Sequence, residues 1–128
     1  MMPGNILVVE DDEEISLLLE FLLSREGYQV SLAKDGHAAQ HFMEHSAPPD
    51  LALLDVMLPY VNGAHLLEQM RAMPTWAKTK IIMLTAKSGE KGVADALSSG
   101  ADDFIAKPFK PLELVARVNH QLKLKKQQ

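Results

Sequence analysis

The chain has 128 residues and no cysteine, so disulfide bonds, thiolate metal sites and cysteine nucleophiles are excluded. Its longest apolar runs, such as 51–54 and 81–84, are far too short to span a bilayer. The first residues lack a basic segment followed by an apolar stretch, so no secretory signal is visible. We therefore expect a cytoplasmic chain that makes no contact with a membrane.

The excess of acidic over basic residues is also small. The net charge is −4 with histidine counted as neutral, so direct binding of nucleic acid is not expected. The only basic cluster is short and comprises Lys123, Lys125 and Lys126, where lysines complement the dipole at the end of a helix. A composition of 47% apolar and 23% charged residues is typical of a soluble globular protein, and the length fits one domain, 1–128.

Short apolar runs recur five times along the chain. Clear runs lie at 6–9, 51–54 and 81–84, and weaker ones at 28–32 and 104–106. Continuous apolar runs of this length predict strands that are buried on both faces. Helical patterns separate them, and this alternation predicts an α/β fold with a five-stranded parallel sheet and helices on both faces.

The first helical pattern places Ile15, Leu18, Leu19 and Leu22 on one face, with Gly27 where a C-terminal cap belongs. Other end signals are of the same kind. Asn62 is suited to cap the helix that runs toward Met73, Pro111 suits the first turn of the last helix, and Gly100 follows a further helix that begins near Gly89.

Polar residues close the apolar runs. Glu10 and Asp11 follow the first run, Asp55 the third, Thr85 the fourth and Lys107 the fifth. Ligands of an open parallel sheet bind at the carboxyl ends of its strands. Clustered carboxylates favour a hard cation such as magnesium, while a lysine and a hydroxyl can hold phosphoryl oxygens and a carboxylate can form an aspartyl phosphate. The strand ends therefore predict a magnesium-dependent phosphoryl-transfer site.

Five separate blocks of the sequence resemble the response-regulator receiver domains of two-component systems. The blocks are 6–11, 53–59, 62–63, 82–86 and 100–109. The resemblance extends over a core of about 5–124 and implies a flavodoxin-like sheet of order 2-1-3-4-5 flanked by five helices. It also implies a phosphorylation-controlled signalling switch, not an enzyme, that accepts a phosphoryl group from a sensor histidine kinase or a histidine phosphotransfer protein.

The resemblance assigns roles to individual residues. Asp55 would be the phosphoacceptor, and Thr85 and Lys107 would contact the phosphoryl oxygens. Phe104 would be an aromatic switch that turns inward when Thr85 moves, and the Lys107–Pro108 peptide bond would be cis.

The resemblance also implies a magnesium cofactor. Its ligands would be Asp11, Asp55 and the backbone carbonyl of Met57, with Glu10 acting mainly through water. Asp12, a third acid after the first strand, is interpreted as the cap of the first helix.

An output surface is expected on the helix at about 89–99, the fifth strand and the last helix. The glycines and serines in and beside this helix favour its mobility. The surface would bind an effector or a second copy after phosphorylation. The blocks 100–109 and 113–118 resemble receivers joined to winged-helix transcription factors. The chain, which stops after its last helix, is thus either a stand-alone receiver or one excised from a longer regulator.

Three alternative functions fit the sequence less well. A phosphatase of the haloacid-dehalogenase type needs a second aspartate two residues after its nucleophile, where this chain has Met57. A nucleotide hydrolase needs a phosphate-binding loop, and the segment 89–92 is too short for one. An interaction module that has lost phosphorylation would be expected to have lost the acids, the lysine or the threonine, all of which are present.

Three histidines lie on one predicted helix. His37, His41 and His45 lie four residues apart and form either a polar outer helix face or a metal site.

The resemblance also bears on the loss of the phosphoryl group. Met57 and Lys87 stand where side chains control the attacking water in this family, and neither is a plausible base. We therefore expect slow self-dephosphorylation.

Overall fold

The computed structural model describes residues 4–86 and 100–126, and within them the chain forms a five-stranded sheet. The strands are β1 (Asn5–Val9), β2 (Gln29–Ala33), β3 (Leu51–Asp55), β4 (Lys80–Thr85) and β5 (Asp103–Ala106). Their order is β2-β1-β3-β4-β5, and every neighbouring pair is parallel. The predicted fold class and strand order are confirmed.

Four α-helices lie in the described residues. They are α1 (Glu13–Arg25), α2 (Gly36–His45), α3 (Gly63–Ala72) and α4 (Pro111–Lys126), and a single 3₁₀ turn (Pro74–Trp76) follows α3. The helix predicted at about 89–99 lies outside the described residues, so the count of five helices stays a prediction. None of the described helices is long and apolar enough to cross a membrane.

The helix ends follow local chemistry. The side chains of Asp12, Asp35 and Asn62 each accept a hydrogen bond from a backbone N–H in the first turn of α1, α2 and α3, respectively. The caps at Asp12 and Asn62 were predicted. Gly27 has a φ of 95° just beyond the end of α1, as a glycine at a helix C-terminus commonly does, and Pro111 begins α4.

The sheet separates two apolar layers because successive side chains of a strand point to opposite faces. Leu7 and Val9 pack with residues of α2 and α3, whereas Ile6 and Val8 pack with residues of α1 and α4. All side chains of β3 and β4 are buried. The edge strand β2 is mostly exposed and begins at Gln29 instead of the expected Tyr28, since an edge strand lacks a continuous apolar signal. The central strands thus deliver their terminal polar residues to one edge of the sheet.

Candidate functional site

Three carboxylates meet where β1 and β3 lie side by side. Glu10 directly follows β1, Asp55 ends β3, and Val9 is paired in register with Leu54. One oxygen from each of Glu10, Asp11 and Asp55 lies within 4.8 Å of the others. Glu10 and Asp55 are only 2% and 4% exposed, whereas Asp11 is exposed to solvent. This is an oxygen-only donor set with one open side.

Lys107 connects the two buried carboxylates. Its Nζ atom donates hydrogen bonds to Oε1 of Glu10 at 2.7 Å and to Oδ2 of Asp55 at 2.8 Å. Its backbone N–H donates to the carbonyl oxygen of Thr85 at 2.8 Å, and the Lys107–Pro108 bond is cis, as expected. The lysine was predicted to lie at this edge, but its pairing with Glu10 was not.

The ionisation of the site reflects its burial. The pKa of Glu10 is raised to about 7, mainly because burial disfavours its charged form. The contact with Asp55 also raises this pKa, whereas the hydrogen bonds from Lys107 and from the backbone N–H of Asp12 lower it. Burial acts to lower the pKa of Lys107, but its hydrogen bonds with Asp55 and Glu10 outweigh burial and keep that pKa above its usual value. Two buried acids therefore share one ammonium, and an additional cation would stabilise the charged form of both.

Both oxygens of Asp55 have a hydrogen-bond donor. Oδ1 accepts from the backbone N–H of Met57 at 3.0 Å, and Oδ2 accepts from Lys107. The N–H of Val56 donates to the carbonyl oxygen of Leu84, which joins the start of the loop after β3 to β4. Met57 is 71% exposed, and its observed contact with the site is made by its backbone N–H.

Thr85 and Phe104 lie on the neighbouring strands. Thr85 ends β4, is 7% exposed, and is paired with Ala106, while Leu84 is paired with Asp55. Phe104 is half-buried and packs against the core layer that includes Trp76. The structure brings Thr85 to the edge that carries Asp55, and the switching roles of Thr85 and Phe104 stay predictions.

The donor set fits magnesium. Magnesium prefers oxygen ligands and is usually held by one or two carboxylates together with water and phosphate oxygens. Among the described residues, the carboxylates of Glu10, Asp11 and Asp55 form the one group of three or more side chains that could hold a metal ion. No nitrogen or sulfur ligand belongs to that group.

The histidines of α2 are not part of this site. His37, His41 and His45 are exposed, which agrees with a polar outer face. The rings of His41 and His45 stack on each other with centroids 4.1 Å apart, and the ring of His37 stacks on Tyr60. Lys87, singled out in the sequence, lies outside the described residues.

Sequence comparison agrees with this geometry. The family model described as the response regulator receiver domain matches residues 6–119. The regulatory protein VanRc of Enterococcus gallinarum is 44% identical over 122 residues, which cover 95% of this chain and 51% of that protein. The phosphate regulon transcriptional regulatory protein PhoB of Rhizobium meliloti is 42% identical over 96% of this chain and 53% of its own length. The chain thus spans about half the length of these curated relatives.

Solved structures are similar over nearly the whole chain. The receiver domain of the Francisella response regulator 1452 has a TM-score of 0.87 at 31% identity, with coverage of 94% of this chain and 97% of that one. The receiver domain of the sensor histidine kinase PA1611 of Pseudomonas aeruginosa has a TM-score of 0.84 at 32% identity, with coverage of 94% and 98%. That structure holds a magnesium ion in its active site cleft.

Proposed function

The chain belongs to the response regulator receiver domain family, and we propose that it is a magnesium-dependent switch whose phosphoacceptor is Asp55. The observation that carries this proposal is the placement of the Asp55 carboxylate, which is buried between two fixed donors beside two other acids. Phosphoryl transfer depends mainly on positioning and charge neutralisation, and this arrangement offers both.

The proposed reaction transfers a phosphoryl group from a phosphohistidine of a sensor kinase or a phosphotransfer protein. A carboxylate oxygen of Asp55 forms a bond to phosphorus, the phosphorus–nitrogen bond breaks, and the electron pair leaves with the imidazole of the donor. Lys107, which now contacts Asp55 and Glu10, then donates to a phosphoryl oxygen. Magnesium would be held by Asp11, Asp55 and the Met57 carbonyl, with Glu10 acting through water, and it would neutralise the charge of the transferred group.

The proposed response travels along β4 and β5. The Thr85 hydroxyl donates a hydrogen bond to an oxygen of the new phosphoryl group, and Phe104 on the next strand turns inward. The output face would comprise residues 89–99 together with β5 and α4. It includes the ion pair of Arg117 with Asp103 at 3.1 Å, and it would bind an effector or a second copy.

The remaining properties of the switch are proposed on the same basis. The chain would form one domain over 1–128 and act in the cytoplasm without contacting nucleic acid. It would function as a signalling protein and lose its phosphoryl group slowly. An interaction module without phosphorylation is less well supported, because the acids and Lys107 form one connected cluster and Thr85 ends the neighbouring strand.

The direct test is incubation of the full chain with magnesium and a small acyl phosphate, followed by intact-mass measurement. We expect the mass of one phosphoryl group to be added, and we expect base to remove it. Asp55→Asn should add none while keeping its circular dichroism spectrum. Glu68→Gln, an exposed change on α3, is the matched control and should label like the wild type. Full labelling of Asp55→Asn would refute the assignment.

A further inference from the structure

The loop 56–62, between β3 and α3, is fixed at both of its ends. The N–H of Gly63 donates to the carbonyl oxygen of Val56 at 3.1 Å, which closes the loop. A side chain at Gly63 would collide with the carbonyl oxygen of Asp55 and with Cα of Val56, so the start of α3 lies directly on the phosphoacceptor backbone. These two contacts do not involve the apex of the loop, residues 59–61.

The apex has a strained backbone at Tyr60. The N–H of Val61 donates to the carbonyl oxygen of Pro59 at 2.8 Å, and Tyr60 between them has a φ of 70°. A three-residue turn with positive φ at its centre is the rare, strained form of the γ-turn. Among the described residues, Tyr60 is the one non-glycine residue with positive φ. Tyr60 is 79% exposed, so burial does not hold this conformation in place.

The first turn of α2 contacts this apex. The ring of His37 stacks on the ring of Tyr60 with centroids 5.1 Å apart and planes 11° from parallel. A side chain at the neighbouring Gly36 would collide with Cβ and the carbonyl oxygen of Val61. The apex is therefore held against α2 by one close backbone approach and one ring stack.

We propose that His37 is a positioning residue for the phosphoacceptor. By stacking on Tyr60 it fixes the strained apex, and the apex sets the backbone of Met57, whose N–H holds Oδ1 of Asp55 at 3.0 Å. The same backbone includes the carbonyl that would bind magnesium. This inference rests on the proposed function of Asp55. It adds a residue of α2 that does not touch the reacting atoms.

The chain offers a matched control on the same helix. His41 is an exposed histidine of α2 that also stacks on an aromatic ring, but its partner is His45, one turn further along. His41→Ala thus removes the same atoms and a ring stack without altering the contact with the loop. His37→Phe is the rescue variant, because a flat aromatic ring can stack again on Tyr60.

The first measurement uses the full chain without metal or phosphodonor. We expect His37→Ala to speed hydrogen exchange of the Met57 amide several-fold, because the apex relaxes and the hydrogen bond to Asp55 opens more often. His41→Ala and His37→Phe should leave that rate near the wild-type value. Tyr60→Ala should act like His37→Ala, and the double variant should resemble either single one, since both remove the same stack.

The second measurement is magnesium binding by calorimetry. His37→Ala should weaken magnesium affinity several-fold, with recovery in His37→Phe and no change in His41→Ala. A purely structural role would lower the melting temperature but leave the Met57 amide and the magnesium affinity unaltered, and that result would overturn the proposal. A wild-type chain that took no phosphoryl group would refute the proposed function alone, because the Met57 amide is measured without a phosphodonor.

Discussion

Lys107 donates a hydrogen bond from Nζ to Oδ2 of Asp55 at 2.8 Å, across 52 positions of sequence. The same nitrogen donates a hydrogen bond to Glu10, so one ammonium balances part of the negative charge of two buried carboxylates. Its removal would leave both acids without this cation in a site where desolvation is costly. The lysine therefore has a stabilising role in the unmodified protein as well as the proposed role in contacting the phosphoryl group.

We expect Lys107→Ala to lower the melting temperature of the metal-free chain and to gain more from magnesium than the wild type does. The reason is that a divalent cation can replace the missing positive charge. In magnesium the variant should be folded, yet phosphorylation should fail to shift the amide resonances of Thr85 and Phe104. Lys110→Ala, an exposed change after β5, is the control. Equal gains from magnesium in wild type and Lys107→Ala would contradict the charge argument.

The two acids after β1 should differ in their effect on magnesium. Both oxygens of Glu10 already accept hydrogen bonds, Oε1 from Lys107 and Oε2 from the N–H of Asp12 at 3.2 Å. This favours a contact through water, so Glu10→Gln should weaken affinity less than Asp11→Asn, in which a proposed ligand carboxylate becomes a neutral amide. Calorimetric titration measures both, with the exposed Glu13→Gln as the control. Unaltered binding in both site variants would remove the acidic pair from the site.

Sequence patterns predicted the central strands and the polar residues at their ends, because β1, β3 and β4 are buried on both faces and read as unbroken apolar runs. The edge strand β2 was predicted one residue early, because three of its five residues are exposed and its apolar signal is weak. Strand order came from the family resemblance, because alternation alone permits several orders.

Contacts that depend on distant backbone atoms were not predicted. Arg71, at the end of α3, donates to the carbonyl oxygens of Thr79 and Gly100 and to Oδ2 of Asp102, at 2.8, 2.9 and 2.7 Å. An arginine in the last turn of a helix normally indicates only a favourable dipole interaction. The stack between the rings of His37 and Tyr60 was not predicted either, since neither residue signals the other in sequence.

Arg71→Ala should destabilise the fold markedly. The substitution leaves two carbonyl groups and the Asp102 carboxylate without a donor they now have, at a cost of about 1–3 kcal/mol. Arg117→Ala removes an ion pair in which the arginine is 41% exposed, and it should cost less than about 1 kcal/mol. Urea unfolding followed by fluorescence of the single tryptophan, Trp76, compares the two. A smaller loss of unfolding free energy in Arg71→Ala than in Arg117→Ala would show that the hydrogen bonds of Arg71 do not stabilise the fold.

We expect the phosphoryl group on Asp55 to be long-lived. Hydrolysis needs a water in line with the bond from the carboxylate oxygen to phosphorus. The resemblance to receiver domains implies that the side chains two positions after Asp55 and Thr85 control that water. Met57 offers only a weak sulfur acceptor and Lys87 offers none, so neither can orient the water. We therefore expect slow decay, and a rate several-fold higher when Met57→Asn is combined with Lys87→Glu.

Orientation of the attacking water, and not loss of the methionine itself, should set the lifetime. Met57→Leu also lacks an acceptor and should keep the wild-type lifetime, which separates orientation of water from simple loss of methionine. The double variant should bind magnesium as the wild type does, because Met57 is 71% exposed and the proposed ligand is its backbone carbonyl. Decay is followed by loss of the phosphoryl mass after removal of the donor. A wild-type lifetime of seconds, or a double variant with an unchanged lifetime, would show that these two positions do not control the attacking water.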